Sequence, residues 1–423
     1  FHDFTGLQIT PVREVFMKEN QPAKKKKKPV DPSRSLIVIG GGAAGLMAAV
    51  QAAKTGVFVT LPEHNEKTGR KIAVTGNGRC NLTNLDQYEG AYRGTHPEFV
   101  RETFEQFSVK DTLDFFEEIG ILTTERKGWL YPRSGQAKCV PELLEMKARS
   151  LKVKIKTLEH VKKIFFSDNL WNVQTETWTY QGGAVILAGG SKASAVAGAD
   201  GSCYALASEL GHQIIKPLPA LTGLKCQNSS LSLWAGVRTE AAVQLFIDGN
   251  LSGKETGEVQ LTEYGISGIP VFQLSRYVAR ALAEKKQVQL SVNFLPEYTE
   301  EILKQLMKKR KELCPYKTEE ELFAGLLPDR LVRLLIKQKD PLKAAVDFML
   351  TVKGSLGFEQ AQVCSGGVAT DEINPSTLES RLHRGLYFAG ELLDIDGACG
   401  GYNLQWAWSS GAVAGIHGAK ELI

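Results

Sequence analysis

Three glycines spaced as Gly40-x-Gly42-x-x-Gly45, with Ala43 and Ala44 between the last two, are the residues whose spacing most directly implies chemistry. In a turn between a strand and a helix, the first glycine permits the sharp bend. The second lets backbone approach a pyrophosphate, and the third lets the helix pack close to the strand. The free N–H groups and partial positive charge of the helix N-terminus then favour phosphate oxygens. The pattern alone is weak evidence, so its context decides. Leu36 to Ile39 precedes it as a short, apolar, β-branched run, and Leu46 to Thr55 follows as a helix closed by Gly56. Val57 to Leu61 reads as the next strand. Glu63, 23 residues beyond Gly40, ends it where a carboxylate accepts hydrogen bonds from a ribose diol. The unit predicts a bound dinucleotide. No second GxGxxG follows a strand, so one dinucleotide is held firmly, and whether it is FAD or NAD must come from other motifs.

The elements around this turn read as an α/β protein. Residues 97–120 read as helical, with Phe99, Phe104, Phe107, Leu113, Phe116 and Ile119 as an apolar stripe, and 140–150 as a further helix. Val153 to Ile155, Val161 to Phe166, Trp171 to Thr175 and Ala184 to Ala188 read as strands, the last ending in Gly189-Gly190. Near Pro217 and Pro219 the character changes. From there strands (Ala241 to Ile247, Val288 to Phe294) surround a helix at Ile269 to Ala283. Helices at Glu300 to Lys311 and Glu319 to Lys339 follow. Strand–helix grammar returns with Leu386 to Ala389 and a closing helix from Asn403 to Leu422. The expected organisation is a dinucleotide-binding domain split into 35–216 and 351–423, with an inserted β-rich and helical substrate domain at 217–350. Residues 1–34 are expected to be a disordered basic tail or an expression remnant, because Lys24 to Lys28 repel one another and prolines bracket them.

Bulk properties narrow the function classes. With 423 residues, 43% of them hydrophobic and 23% charged, the chain can bury two or three domain cores. The net charge of +4 belongs to the first 34 residues, which hold eight Lys/Arg against four acids. The remainder carries 43 basic and 43 acidic residues, so the excess is weak evidence for a nucleic-acid partner. Seven cysteines (Cys80, Cys139, Cys203, Cys226, Cys314, Cys364 and Cys399) show no CxxC pair, which argues against a disulfide framework and a zinc site. A reducing, cytoplasmic location fits. No apolar run of about 18 residues suggests a membrane span. His2, His64, His96, His160, His212, His383 and His417 form no metal pattern, so no metal is expected, and His212 after Gly211 reads as a helix end.

Three further segments carry a resemblance. They are Lys67-Thr-Gly-Arg-Lys-Ile-Ala-Val-Thr-Gly-Asn-Gly-Arg-Cys-Asn-Leu-Thr-Asn84, Tyr264-Gly-Ile-Ser-Gly-Ile-Pro270, and the run from Gly390 to Gly411 containing Gly400-Gly-Tyr-Asn-Leu-Gln-Trp-Ala-Trp408. With the glycine turn and Ala188-Gly189-Gly190, they resemble the BaiN/RdsA-type, or YhiN-like, NAD(P)/FAD-dependent oxidoreductases over about 35–423. The resemblance implies a split Rossmann-like FAD-binding domain with an inserted β-rich domain and a helical segment, and the flavin between them. By motif, Gly42, Ala43 and Ala44 would face the pyrophosphate and Glu63 the adenosine ribose. Arg70, Lys71, Gly78, Arg79, Cys80 and Asn81 would line the path from phosphate to flavin. Val161 would contact adenine through its backbone, with Ala188 and Gly189 closing over the adenosine. Gly390, Glu391, Gly401, Tyr402, Asn403 and Leu404 would surround the isoalloxazine, where the closing helix's N-terminus can stabilise negative charge on reduced flavin.

The remaining polar residues have weaker claims. Cys80 and Cys399 are expected to pack or to touch flavin, since a redox pair of thiols is usually close within one motif. Asp394 and Asp396 are expected to be structural, with Asp396 near the pyrophosphate-to-ribityl chain. Tyr131, Arg133, Tyr264 and Ser267 are the catalytic candidates on the substrate side. The implied activity is hydride transfer through FAD from a transient NAD(P)H to an activated C=C or C=N bond. A uridine of ribosomal RNA, an unsaturated steroid such as a bile-acid intermediate, and a small amine are the candidate substrates. The run Lys304, Lys308, Lys309, Arg310 and Lys311 leans slightly towards RNA. A flavin-binding sensor or assembly factor without turnover is the alternative class, and oligomeric state is not legible.

Overall fold

The structure, a computed structural model, describes residues 31–88, 90–196, 198–227 and 231–423. The basic tail expected over 1–34 falls almost wholly outside them. Its last residues form the short 3-10 turn Pro32–Arg34, capped by Asp31, and Arg34 donates to the backbone oxygens of Leu422 and Ile423. Ordered chain therefore precedes the expected start at Ser35.

A five-stranded parallel sheet organises the nucleotide side. Its order is Leu386–Phe388, Ala184–Leu187, Ser35–Ile39, Phe58–Pro62, Lys154–Lys156. All five residues of Ser35–Ile39 are buried, as a parallel strand covered on both faces requires, and this is why Leu36 to Ile39 form an unbroken apolar run. The edge strand Leu386–Phe388 arrives from the far end of the chain and pairs in register with Val185, Ile186 and Leu187. The sheet is thus completed only by the C-terminal segment. The nucleotide helix, Ala43–Lys54, packs against the closing helix, Tyr402–Lys420, and both are buried over most of their length.

The second body is a closed antiparallel barrel. Its strands, taken around the ring, are Leu224–Gln227, Gly265–Gly268, Asn250–Thr262, Arg238–Ile247, Val288–Asn293 and Phe348–Ser355. The helix Ile269–Ala283, here the roof helix, buries Val271, Leu274, Val278 and Ala281 in the barrel core. Four short helices between Glu300 and Val346 form its helical segment. A two-stranded antiparallel ribbon, Ile214–Ala220 with Val363–Val368, leads into and out of the barrel.

Two expected helices are broken. The stretch 97–120 divides into Val100–Gln106 and Val109–Glu118, because Ser108 and Asp111 cap the second helix with reciprocal bonds. The stretch 319–339 divides into Glu319–Leu322 and Asp329–Leu335, with Pro328 in extended backbone between them.

Candidate active site

A cavity of about 980 Å³ opens along the end of the parallel sheet and runs under the roof helix. That volume is at the upper end for small-molecule sites. At one end lie Gly40, Gly42, Ala43 and Ala44 with Glu63, Val161, Ala188 and Gly189. The backbone N–H of Gly41 donates to Glu63 Oε2 at 2.6 Å, and that of Asn65 to Oε1 at 2.7 Å. Glu63 is therefore held rigidly against the glycine turn. The Asn65 side-chain amide also donates to Oε1 at 2.7 Å, so Oε2 is the oxygen that keeps a lone pair for a diol.

Beyond the turn, Arg70, Lys71, Arg79 and Asn81 line the middle of the cavity. The Thr75 to Asn81 stretch explains its own composition. Gly76, Asn77, Gly78 and Cys80 all have φ between 53° and 79°, a left-handed run that glycine and asparagine tolerate best. Lys71 Nζ pairs with Glu391 Oε2 at 2.5 Å, and Ser191 Oγ donates to Glu391 Oε1 at 2.6 Å. This ties three separate segments of the chain together across the cavity wall.

The far end is formed by the loop Gly397 to Gly401 and the start of the closing helix. Gly401, at φ 98°, caps that helix, and a Cβ there would stand 2.7 Å from the backbone of Thr83. Asn403 braces the loop. Its Oδ1 accepts from Gly397 N at 2.7 Å and its Nδ2 donates to Gly397 O at 2.9 Å. Leu404 and Glu391 complete this part of the lining. Above it stand Trp129, Tyr131, Leu221, Ile269 and Phe272, which give a largely apolar, aromatic chamber.

Sixteen of the residues read from the sequence as cofactor-binding thus share one cavity. Six do not line it. Gly45 packs under the carbonyl of Gly40. Gly78 and Cys80 turn away within the left-handed run; Cys80 is fully buried, and burial pushes its thiol up to about 12. Gly390 sits behind, donating to Ser410 and accepting from Trp406. Tyr402 directs its hydroxyl to Asp86 O at 2.7 Å. Asp396, expected near the ribityl chain, is instead buried in an ion pair with Arg276 of the roof helix at 2.9 Å.

Of the catalytic candidates, Tyr131 lines the cavity, and burial raises its hydroxyl above the ordinary tyrosine value. Arg133 is exposed, and its backbone holds Leu122. Tyr264 and Ser267 belong to the barrel. Their motif closes it, because Gly265 lies against the backbone of Leu224 and Gly268 starts the roof helix. Cys399 does reach the cavity, with its thiol pushed up to about 11 by burial, so it is neutral rather than a thiolate. Among the described residues no cysteine is disulfide-bonded.

Sequence reading missed Trp129, Leu221, Ile269 and Phe272. Ile269 lies within the Tyr264 motif and Phe272 two residues beyond it, and that motif was the available signal. It also missed that His64, His160 and Asp200 converge, their ligand-capable atoms all within 4.8 Å of one another. Lys162 Nζ lies 3.3 Å from His160 Nδ1, a positive charge that opposes a cation there. His212 follows a helix end, as expected, and also bonds Glu372 and Ser380 at 2.9 Å each. Among the described residues no helix is long and apolar enough to cross a membrane.

The profile of the HI0933-like protein Rossmann domain matches residues 34–417. A 3-dehydro-bile acid delta(4,6)-reductase of Clostridium scindens is 44% identical over 403 residues, covering 91% of this chain and 98% of that protein. A ribosomal RNA dihydrouridine synthase of Haemophilus influenzae is 31% identical, over 88% of this chain and 96% of its own. The Escherichia coli protein of the same name is 29% identical, over 88% and 95%.

Proposed function

The chain belongs to the HI0933-like Rossmann-domain family, whose relatives here are oxidoreductases, and from that premise we propose that it is an FAD-dependent reductase of a flat, apolar, conjugated enone. One observation carries the reading. The glycine turn with Glu63 and an aromatic chamber are the two ends of one cavity.

The residues present fit FAD. Both amide atoms of Asn81 are buried in the cavity wall without a partner, which is costly unless a ligand supplies one. Glu63 and the Gly40 turn would hold the adenosine and pyrophosphate. Asn81, Gly401 and Leu404 would hold the flavin end. When bound, FAD would take hydride from reduced nicotinamide and pass it to the substrate. The protein's own contribution is placement and protons. Trp129 and Phe272 offer aromatic faces to a planar substrate, with Ile269 at the solvent-facing edge. An enone accepts hydride at its β-carbon while the electron pair moves to the carbonyl oxygen. Tyr131 Oη keeps its proton at neutral pH and would donate a hydrogen bond to that oxygen. The α-carbon then takes its proton from water.

The choice of enone over RNA rests on the chamber's apolar walls and on the 44% identical bile-acid reductase. For RNA, the specific observation is that Lys308, Lys309 and Lys311 are exposed on the helix Glu300–Leu313. Two other cations of that run are already engaged. Lys304 pairs with Glu300, and Arg310 donates to the carbonyls of Leu322 and Ala324.

The experiment is anaerobic mixing of the purified yellow protein with NADPH or NADH. Re-oxidation is then followed with a 4-en-3-one steroid or a ribosomal RNA fragment, and a small amine replaces the nicotinamide as reductant to test the oxidase alternative. We expect bleaching by a nicotinamide and re-oxidation by the steroid. No bleaching with either nicotinamide would overturn the reductase reading, and re-oxidation by RNA alone would replace the substrate.

A further inference from the structure

The roof helix presents one stripe to the nucleotide domain: Ile269, Phe272, Gln273, Arg276, Tyr277 and Arg280, the spacing of a single helical face. Its first turn is apolar and lines the cavity. The rest is polar and bonded across to the other body. Gln273 Oε1 accepts from Cys399 N at 3.0 Å. Arg276 donates to Asp396 Oδ1 through Nε at 3.1 Å and lies at 2.9 Å from it through Nη2. Arg280 Nε donates to Ser365 Oγ at 3.0 Å. The side chains of Arg276 and Asp396 are 11% and 1% exposed, so the pair lies out of water.

Resting on the reading of the cavity as a flavin and substrate site, we propose that Arg276 and Asp396 are positioning residues for the reaction. Their buried pair keys the roof helix to the loop Gly397 to Gly401 and so sets the height of the chamber. The connections are short. Phe272 stands one helical turn before Arg276, and Cys399 three residues after Asp396. Both Phe272 and Cys399 line the cavity. Asp396 itself lies in the short strand Ile395–Gly397, which pairs with Tyr92–Gly94 of the nucleotide domain. A change in the separation of the pair therefore moves wall against wall.

A buried ion pair is poor glue. Desolvation offsets most of its attraction, and what it supplies best is specificity of register. This one is incompletely satisfied, since Asp396 Oδ2, Asp394 Oδ1 and Arg93 Nε have no partner. Burial accordingly raises the Asp396 carboxyl to about 6 despite Arg276 and Arg93. An apolar contact would hold the two bodies together at lower cost. It would not fix which turn of the roof helix meets the flavin loop.

The test is hydrogen–deuterium exchange by mass spectrometry on the full chain as purified, comparing wild type, Asp396→Asn, Arg276→Gln, the double variant, and the milder Arg276→Lys. We expect each single neutral variant to raise exchange about tenfold in peptides over 269–273 and 397–401, with those over 35–39 and 184–187 unchanged. The double variant, which strands no charge but also lacks the pair, should keep the raised exchange at both segments, and a return to wild-type protection there would overturn the proposal. Arg276→Lys, which keeps charge but loses the fork, should be intermediate. KM for the enone should rise about tenfold in the single variants, with kcat changing less. Exchange at both segments equal to wild type overturns the proposal, as does a rise spread evenly over the whole chain. The exchange readout does not depend on turnover, so a failure of the enone reading leaves it standing, and enone reduction with unaltered exchange defeats only the latch.

Discussion

At the scale of single residues, Asn81 is the most informative side chain in the cavity. Its amide is buried with both polar atoms unpartnered, a cost of about 1–3 kcal/mol that a bound ligand would remove. Asn81→Leu, of similar volume, should therefore stabilise the flavin-stripped protein by about 1 kcal/mol in urea unfolding. The same change should weaken FAD more than about tenfold in a fluorescence titration, because the lost hydrogen bonds are made only to the ligand. Unchanged affinity would remove Asn81 from the flavin site. Tyr131 makes the complementary case. A tyrosine hydroxyl is protonated at neutral pH and burial raises this one further, so it serves as a donor and not as a base. Tyr131→Phe should lower kcat for an enone about a hundredfold while leaving flavin content intact. A loss of flavin instead would show that Tyr131 belongs to cofactor binding.

At the scale of elements, the closing helix explains why distant parts of the sequence had to be read together. A Cβ on Gly411 would stand 2.3 Å from Ala44 O, and one on Gly415 would stand 2.4 Å from Ala48 O. The two helices thus touch backbone to backbone, and the closing helix fixes the helix N-terminus proposed to hold the pyrophosphate. Gly415→Ala should overpack this contact, cost about 1–3 kcal/mol in urea unfolding and loosen flavin retention. An unaltered midpoint would mean the helices separate freely. This element was legible in the sequence because its run of small residues and its neighbour strand Leu386–Phe388 are buried and mostly apolar. Most of the glycine turn, Glu63 and the loop at Gly397 to Gly401 were legible for the same reason, since backbone demands are written as residue types. The strand Asn250–Thr262 was not. Its first nine residues are largely solvated and polar, so no alternation of apolar side chains marks it. The aromatic chamber was also hidden. Trp129 and Phe272 come from two separate bodies, and only the closed barrel and its roof helix bring them together. Asp396 was misplaced for a similar reason: its partner, Arg276, lies 120 positions away on that helix.

At the scale of the whole molecule, that pair is a charge buried where two bodies meet, and it should be visible in the pH dependence of folding. The Asp396 carboxyl is raised from 3.8 to about 6, chiefly by burial and also by Asp394, against Arg276 and Arg93. The folded state therefore binds the proton more tightly than the unfolded chain does. Its contribution to stability is complete below the unfolded value and is lost as pH rises through the folded one. Over that window, about pH 4 to pH 6, the loss should approach 2–3 kcal/mol for a shift of this size. Other carboxylates act in the opposite sense. Those of Asp111 and Glu118 are lowered by bonds from Ser108 and from Lys54 and Lys147 respectively, so they add stability as pH rises. The raw stability curve mixes these effects, whereas the difference between wild type and Asp396→Asn isolates one. We expect that difference, from equilibrium unfolding at several pH values, to move against the wild type by about 2–3 kcal/mol as pH rises through this window. A flat difference would mean that Asp396 is solvated in the folded protein and that the two bodies do not close over it. A sloping one would show that at neutral pH the molecule keeps a charge in its interior at a cost to its own stability, which is the behaviour expected of a group retained for alignment rather than for cohesion.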